Sequence, residues 1–252
     1  MTDKVRQHGI GGFAILMLAM VALFAGFGIW QLQRLIEEHA LLAALSERVG
    51  AAPVPLPDPS QWHALTAKQD ELRRVNFAAT YEFRLVAMVY SSGPTERVDI
   101  VGPGTSAFIP ARLSTGEIVA INAGFVPNTM QDRNQDRAVA ELITNKPVMM
   151  TGYIRFPEAA GAHTPDVEHD KRPWFSRDHL AMAQAFGWGE VAPFYIDLEA
   201  PVPASGIPKP GPLRVQLVDH HMRYAITWFS LAALVLMAFA VSLRGRLPRR
   251  PL

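Results

Sequence analysis

Cysteine is absent from the sequence, and this absence removes several classes of chemistry. Without thiols the chain cannot form a disulfide framework, a thiol-redox centre, an iron–sulfur site or a thiolate site for copper or zinc. The compartment stays open, because a cysteine-free domain tolerates an oxidising space as well as the cytosol. An excess of charge of one sign is also missing, because the 24 Lys and Arg residues nearly balance the 23 Asp and Glu residues. We therefore expect no nucleic-acid partner.

Motifs that mark an enzyme are missing as well. The sequence has no G-x-S-x-G, no phosphate-binding loop, no Rossmann glycine pattern and no H-E-x-x-H. The segment "TPDVEHDKRPW" (164–174) gathers Asp166, Glu168, His169 and Asp170, a composition that is typical of a solvated turn rather than of a metal cluster. We therefore expect no enzymatic activity. A membrane-tethered enzyme built on the loop 164–179 is a minor alternative.

Two long uncharged runs dominate what is present. Residues 9–33 and 224–243 each supply the ~20 apolar residues that a helix needs to cross the hydrocarbon of a membrane. The first run is longer than the ~7–15-residue core of a secretory signal, and it passes directly into Trp30 and Arg34, which suit the lipid interface. A cleaved signal for the first run and a buried soluble helix for the second are the alternatives. The sequence predicts two transmembrane helices in contact with membrane lipid.

The charges beside these runs predict an orientation. Lys4 and Arg6 precede the first run, and four arginines follow the second, at 244, 246, 249 and 250. Positively charged flanks stay on the cytoplasmic side. We therefore expect residues 1–8 and 244–252 in the cytoplasm and the intervening region outside. The start "MTDKVRQHG" is too short for a mitochondrial leader, which favours a bacterial inner membrane and a periplasmic domain.

The region between the two runs has its own organisation. Residues 34–50 keep helical spacing and predict a stalk that extends the first helix. Short strand-like pieces separated by turn signals then predict an extracytoplasmic, mainly antiparallel β domain within 51–223, built as a barrel or a sandwich. The strand-like pieces are "VNFAATYEFRLVAMVY", "AFIPARL", "EIVAINAGFVP", "VMMTGYIRF", "FYIDL" and "LRVQLV". One short helix interrupts them after "WFSRD", with Ser176 or Asp178 as its cap and Gly187 at its end.

His221 is the first candidate for a functional site. It stands in "DHHMRYAITW", at the border of the second apolar run, where an ionisable side chain is costly. A neutral imidazole is a common axial ligand of haem iron, and Tyr224 and Trp228 follow His221 at helical spacing. Histidine, tyrosine and tryptophan also collect at the level of the lipid headgroups without any ligand. The residues alone leave both interpretations open.

Four motifs, in order along the chain, resemble those of the SURF1-like (Surfeit locus 1) family of cytochrome c oxidase assembly proteins. "GIWQLQR" (28–34) is similar to the family's Gly-x-Trp-Gln-x-x-Arg, and "INAGFVP" (121–127) to its Asn-Arg-Gly-Trp-Val-Pro. "WFSRD" (174–178) is similar to Trp-x-x-Arg-Asp, and "DHHMRYAITWFSLA" (219–232) to Asn-Asn-His-Leu-Gln-Tyr-Ala-x-Thr-Trp-Phe. The chain departs from the family at the arginine and tryptophan positions of the second motif, which hold Ala123 and Phe125, and at Gly104.

The resemblance implies a function and a set of roles. It places the family's histidine on His221 rather than His220, as the axial ligand of haem a during delivery to subunit I of cytochrome c oxidase. Haem a synthase is a further expected partner. Trp30 and Arg34 match the motif at the other membrane border, where Arg34 would pair with a haem propionate or extend to the headgroups. A scaffold that holds oxidase subunits together without a cofactor is the second hypothesis.

Overall fold

The computed structural model describes residues 2–82, 86–93, 99–128, 139–143, 146–158, 174–213 and 220–244, with side chains from residue 12 onward. The chain divides into two compact units. The helix unit comprises residues 1–43 and 217–252, and the sheet unit comprises residues 44–216.

The described elements follow one another as helix, mixed sheet and helix. The helices are α1 (Thr2–Gly50), α2 (Ala67–Asp70), α3 (His179–Phe186) and α4 (His221–Arg244), with a 3-10 helix at Pro59–Ala64. The strands are β1 (Val54–Pro55), β2 (Arg74–Tyr81), β3 (Ala87–Ser91), β4 (Gly104–Leu113), β5 (Ile118–Pro127), β6 (Val148–Arg155) and β7 (Val191–Ala200).

Two apolar helices lie at the ends of the chain, as the sequence predicted. Both α1 and α4 are long and apolar enough to cross a membrane, and only 6% of the most apolar stretch of each is buried. The core helix of a soluble protein would be mostly buried. α1 runs without a break to Gly50, so the predicted stalk continues the same helix. α4 begins at His221, ahead of the predicted start at Tyr224, and the histidine therefore belongs to its first turn.

The sheet is mixed rather than purely antiparallel. Its order is β1-β2-β6-β7-β5-β4-β3, and β2 pairs additionally with β4. Five of the strand pairs described are antiparallel, whereas β1–β2 and β5–β7 are parallel. Because β2 pairs with both β6 and β4, the ladder of hydrogen bonds through β2, β6, β7, β5 and β4 returns to its starting strand.

Most of the predicted strands are present, with two differences. The run from Val75 to Tyr90, predicted as one strand, contains two strands, because β2 ends at Tyr81 and β3 begins at Ala87. The predicted last strand "LRVQLV" falls almost entirely on residues 214–218, outside the described part of the chain. The loop 164–173, with its acidic residues and His169, also lies outside it.

Both faces of the central strands are covered. On β4, Ala107 and Ile109 join one buried cluster, and Phe108 between them joins the other. On β7, Phe194 and Tyr195 divide in the same way. Since successive side chains of a strand point to opposite faces, covering both faces gives near-continuous burial along these strands. This explains why their sequences do not alternate clearly between apolar and polar residues.

α3 confirms the predicted helix and its cap. The Asp178 carboxylate accepts hydrogen bonds from the backbone N–H groups of Leu180 and Ala181, at 3.2 and 3.1 Å. Gly187 ends the helix in the left-handed conformation, with φ of 62°, which glycine adopts without steric cost. Of the two predicted caps, Asp178 is the one that forms.

Candidate functional site

The five predicted site residues all lie on α1 and α4. Trp30 and Arg34 follow one another on α1, with the Trp30 side chain exposed. His221, Tyr224 and Trp228 occupy the first two turns of α4. His221 and Trp228 are half-buried and Tyr224 is exposed, whereas the neighbouring His220 precedes the helix and is exposed. The structure therefore brings the two predicted membrane-border motifs together in one unit.

His221 is held between two side chains of α1. Its Nδ1 lies 2.6 Å from Oε1 of Gln31, and its Nε2 lies 3.0 Å from Oε1 of Glu38. Gln31 is only 9% exposed, and it stands 190 positions before the histidine in the chain. These contacts join α1 to the first turn of α4, and they define the centre of the candidate site.

Glu38 links the histidine to Arg34. The same Oε1 that faces His221 lies 3.4 Å from Nε of Arg34, and a further nitrogen of Arg34 lies 3.3 Å from Glu37. Arg34 is 53% exposed, so these are solvent-screened ion pairs of modest strength. The site thus combines the histidine of α4 with one guanidinium and two carboxylates on neighbouring turns of α1.

For the haem that the family resemblance implies, the site would offer one ring nitrogen of His221. An imidazole can coordinate a metal through one ring nitrogen while the other keeps a hydrogen bond that fixes the ring. No group of three or more His, Asp and Glu side chains among the described residues could hold a metal ion by itself. A single imidazole nitrogen would suit an iron whose other ligands come from a macrocycle, provided that this nitrogen exchanges its present partner, Gln31 or Glu38.

Aromatic side chains pack the two helices together below the histidine. The ring of Trp228 lies 4.9 Å from that of Phe27 and 5.8 Å from that of Phe24, measured between centroids. A Cβ atom added to Gly28 would lie 2.7 Å from the ring of Phe229, so a side chain there would have to displace that ring. Trp228 therefore serves in the contact between helices, while the exposed Tyr224 and Trp30 remain available to a ligand.

An apolar concavity lies along α1 beside this contact. It is a shallow depression, open to the surroundings, lined by Ala22, Leu23, Gly26, Phe27 and Trp30. Trp30 stands one helical turn before Arg34, so an apolar surface leads directly to a cationic side chain. Such a surface suits a ligand or lipid with an apolar body and an anionic group.

Sequence reasoning missed Glu38 and gave Gln31 no role. Gln31 stands inside the motif "GIWQLQR", and Glu38 lies one turn beyond Arg34, which are the only local signals. Both contacts with His221 span more than 180 residues, with separations of 190 and 183. Spacing within one helix cannot reveal such a contact.

The sheet unit holds a cluster of charged side chains that pair with one another. Asp197 accepts hydrogen bonds from Asn122 at 2.5 Å and from Arg155 at 3.0 Å, and Arg155 also pairs with Glu71 at 2.6 Å. Burial raises the pKa of Glu71, against the opposing effect of Arg155. The space beside the cluster measures about 40 Å³ and is partly lined by Arg177, room for about one water molecule.

The departures from the family motif lie in a packed region of the sheet. Ala123 is fully buried, and the ring of Phe125 lies against the backbone of Gly104, where a Cβ atom would collide with it. The phenylalanine and the glycine thus fit each other. Neither position offers a cation to a ligand.

The fold and the site define a class of protein: two apolar helices at the ends of a chain, joined through a hydrogen-bonded histidine, with a mixed β domain between them in sequence. The SURF1 family profile matches residues 18–233, a span that includes Gln31, Glu38 and His221. The chain belongs to the SURF1 family.

Named relatives support the same assignment. The chain is 30% identical over 227 residues to Surfeit locus protein 1 of Mus musculus, covering 86% of this chain and 71% of that protein. It is 29% identical over 230 residues to Surfeit locus protein 1 of Homo sapiens, covering 87% and 73%. It is 27% identical over 233 residues to a SURF1-like protein of Monosiga brevicollis, covering 90% and 85%.

Proposed function

We propose that this protein is an assembly factor for haem–copper cytochrome c oxidase, which binds haem a through His221 and aids its insertion into subunit I. The observation that carries the proposal is the meeting of two distant family motifs. Gln31 of the first motif contacts His221 of the last at 2.6 Å, across 190 positions. A histidine held in this way at the end of an apolar helix suits the delivery of an apolar, iron-bearing cargo.

The proposed roles follow from the position of each side chain. His221 supplies the axial nitrogen. Trp30 and Tyr224 are exposed and offer aromatic surface to the macrocycle, whereas Trp228 packs against Phe27 in the contact between the helices. Arg34 is exposed and one turn beyond Trp30, where a guanidinium can pair with a propionate.

The cargo is bound and passed on, with no bond chemistry by the protein. Haem a supplies its iron chemistry to the oxidase, and the protein holds and orients it. This function requires no enzymatic activity, which agrees with the sequence analysis. Haem a synthase is the proposed donor of the cargo and subunit I its acceptor.

The proposed location is the bacterial inner membrane. α1 and α4 cross the bilayer and contact lipid, both termini lie in the cytoplasm, and the sheet unit lies in the periplasm. The support for this arrangement is the exposure of the two apolar helices, together with Lys4, Arg6 and the four arginines after the second run.

A scaffold without a cofactor is the alternative function, and one observation favours it. Both ring nitrogens of His221 already contact protein groups, Gln31 and Glu38. In that case the histidine would only tie the two helices together, and the protein would stabilise oxidase intermediates by contact.

Haem content separates the two functions. We expect the full-length protein, purified after co-expression with haem a synthesis, to show a haem band in the reduced-minus-oxidised absorption spectrum. His221→Ala should lose this band because it lacks the axial nitrogen, whereas His220→Ala should keep it. A well-folded wild-type protein without haem above background would contradict delivery and support the scaffold.

A further inference from the structure

The two ring nitrogens of His221 contact different side chains of α1. The inference drawn from this difference rests on the proposed function. We propose that Gln31 and Glu38 are positioning residues for His221. Gln31 holds Nδ1, so that Nε2 is the nitrogen presented to a haem iron, and Glu38 covers Nε2 until the iron takes it. The site is then a latch, by which we mean that the contact with Gln31 is kept when iron binds and the contact with Glu38 is released.

Gln31 is the fixed side. Its carbonyl oxygen lies 2.6 Å from Nδ1, and the glutamine is only 9% exposed. An amide oxygen only accepts hydrogen bonds, so Nδ1 carries a proton and donates it. A carboxylate oxygen likewise only accepts, so the contact of Nε2 with Glu38 requires a proton on Nε2 as well. Gly28 and Leu35, one turn on either side of Gln31, share its packed face: the first lies beneath Phe229 and the second is 8% exposed. The backbone that carries Gln31 is therefore held in place.

Glu38 is the releasable side. It lies farther from the ring, at 3.0 Å from Nε2, and its side chain is 22% exposed. The oxygen that faces His221 is also 3.4 Å from Nε of Arg34. If iron took the place of Glu38 at Nε2, the proton on Nε2 would pass to water, and Glu38 would keep its ion pair with Arg34 and its contact with water. Release therefore avoids the penalty of leaving a polar group without a partner.

Breaking the hydrogen bond between Gln31 and Nδ1 would be costlier than releasing Glu38. A buried amide would lose its partner, and the ring would lose the hydrogen bond that sets its proton position. Iron is consequently expected at Nε2, with the Nδ1–H bond to Gln31 retained behind it.

Titration of haem a into the purified full-length protein in detergent tests the two roles separately. We expect Gln31→Leu to weaken binding by about 10–100-fold, the usual effect of losing the partner of a metal-ligating histidine. Gln31→Glu, which keeps an acceptor at the same place, should restore binding to within a few fold. Glu38→Ala should tighten binding about two- to fivefold, because it removes a competing contact of modest strength.

Glu37→Ala is the matched control. Glu37 also pairs with Arg34, at 3.3 Å, and it stands next to Glu38 in the chain. Its described pairing is with Arg34 and not with His221. Binding of haem a by Glu37→Ala should equal that of the wild type.

The apoprotein provides a readout that needs no haem. Nitrogen NMR of protein labelled with ¹⁵N-histidine distinguishes protonated from unprotonated ring nitrogens. We expect Nδ1 of His221 to be protonated in the wild type and in Glu38→Ala. In Gln31→Leu we expect Nδ1 to lose its proton, while Nε2 keeps the proton that it donates to Glu38.

The outcomes distinguish this inference from the function on which it rests. Equal haem binding by wild type and His221→Ala would overturn the proposed function, while the NMR comparison would still decide the role of Gln31. Haem binding through His221 with unchanged affinity and proton position in Gln31→Leu would overturn the positioning role alone. Weaker binding by Glu38→Ala would overturn the latch, because it would make Glu38 a support of the bound state.

Discussion

His179 is a histidine whose surroundings suit only the neutral ring. It is fully buried at the start of α3, and its Nε2 lies 2.9 Å from the carbonyl oxygen of Ala192, to which it donates. Burial lowers the pKa of His179, with weaker opposing effects from this hydrogen bond and from Asp178. The folded sheet unit therefore resists the proton that an exposed histidine would take up.

This arrangement predicts a stability that depends on pH. Below about pH 6.5 the unfolded chain protonates His179 while the folded chain does not, so the free energy of unfolding should fall as the pH falls, by up to about 1.4 kcal/mol per unit. Urea unfolding of the full chain in detergent, followed by the fluorescence of the buried Trp62, Trp174 and Trp188, measures it. His179→Gln should flatten the slope between pH 6.5 and 5. The same slope in His179→Gln as in wild type would count against this account, with the exposed His63→Gln as control.

At the scale of residues, local patterns were informative and distant contacts were not. Asp178 was predictable as a cap because its hydrogen bonds reach only two and three positions along the chain. His221 was singled out by its place at the edge of an apolar run. Its partners Gln31 and Glu38 were not, because nothing in a helical repeat specifies which face meets another helix nearly two hundred residues later.

Gly28 decides how closely α1 and α4 approach each other. The ring of Phe229 occupies the space where a side chain at position 28 would stand, with a Cβ distance of 2.7 Å. Gly26 lies only half a turn away, yet nothing stands within 4 Å of its Cβ position. The two glycines therefore form a matched pair, one inside the helix contact and one outside it.

Replacing Gly28 should separate the two helices. In Gly28→Leu we expect the contact to weaken by about 1–3 kcal/mol, as overpacking does elsewhere, and the hydrogen bond between Gln31 and His221 to be lost. Spin labels at Leu18→Cys and Met237→Cys, both exposed and introduced into a cysteine-free chain, report the distance between helices. The distance should lengthen or broaden in Gly28→Leu and stay unchanged in Gly26→Leu. Identical distributions for the two variants would contradict a role for Gly28 in the contact.

Helices and strands could be predicted where a single feature of the sequence, such as a long apolar run or a turn residue, set their position. The apolar runs gave α1 and α4, and turn residues separated most of the strands. The parallel pairing of β5 with β7 could not be predicted, because the two strands are joined through β6 and the pairing depends on both faces being covered. The division of residues 75–90 into β2 and β3 was hidden by a run of strand-forming residues without glycine or proline.

The proposed topology of the whole molecule can be tested with single cysteines, because the chain has none of its own. We expect Ser114→Cys, exposed in the turn between β4 and β5, to react with a membrane-impermeant maleimide on intact spheroplasts, because the sheet unit is placed in the periplasm. Thr2→Cys and Arg249→Cys should react only after lysis. Labelling of either terminus before lysis would contradict the proposed orientation, and the parent chain provides a blank without thiols.

The order of strands in the sheet has a consequence for biosynthesis. β2 is made early, yet its neighbour β6 comes some seventy residues later, and β7 must then enter between β6 and β5. The ladder cannot be completed until residue 200 has left the ribosome, since no earlier strand can take the place of β7. Until then the growing chain presents the unpaired edges of β5 and β6, which favour aggregation. Nascent chains truncated before β7 should accordingly need a holding chaperone, whereas chains that include it can close the sheet by themselves.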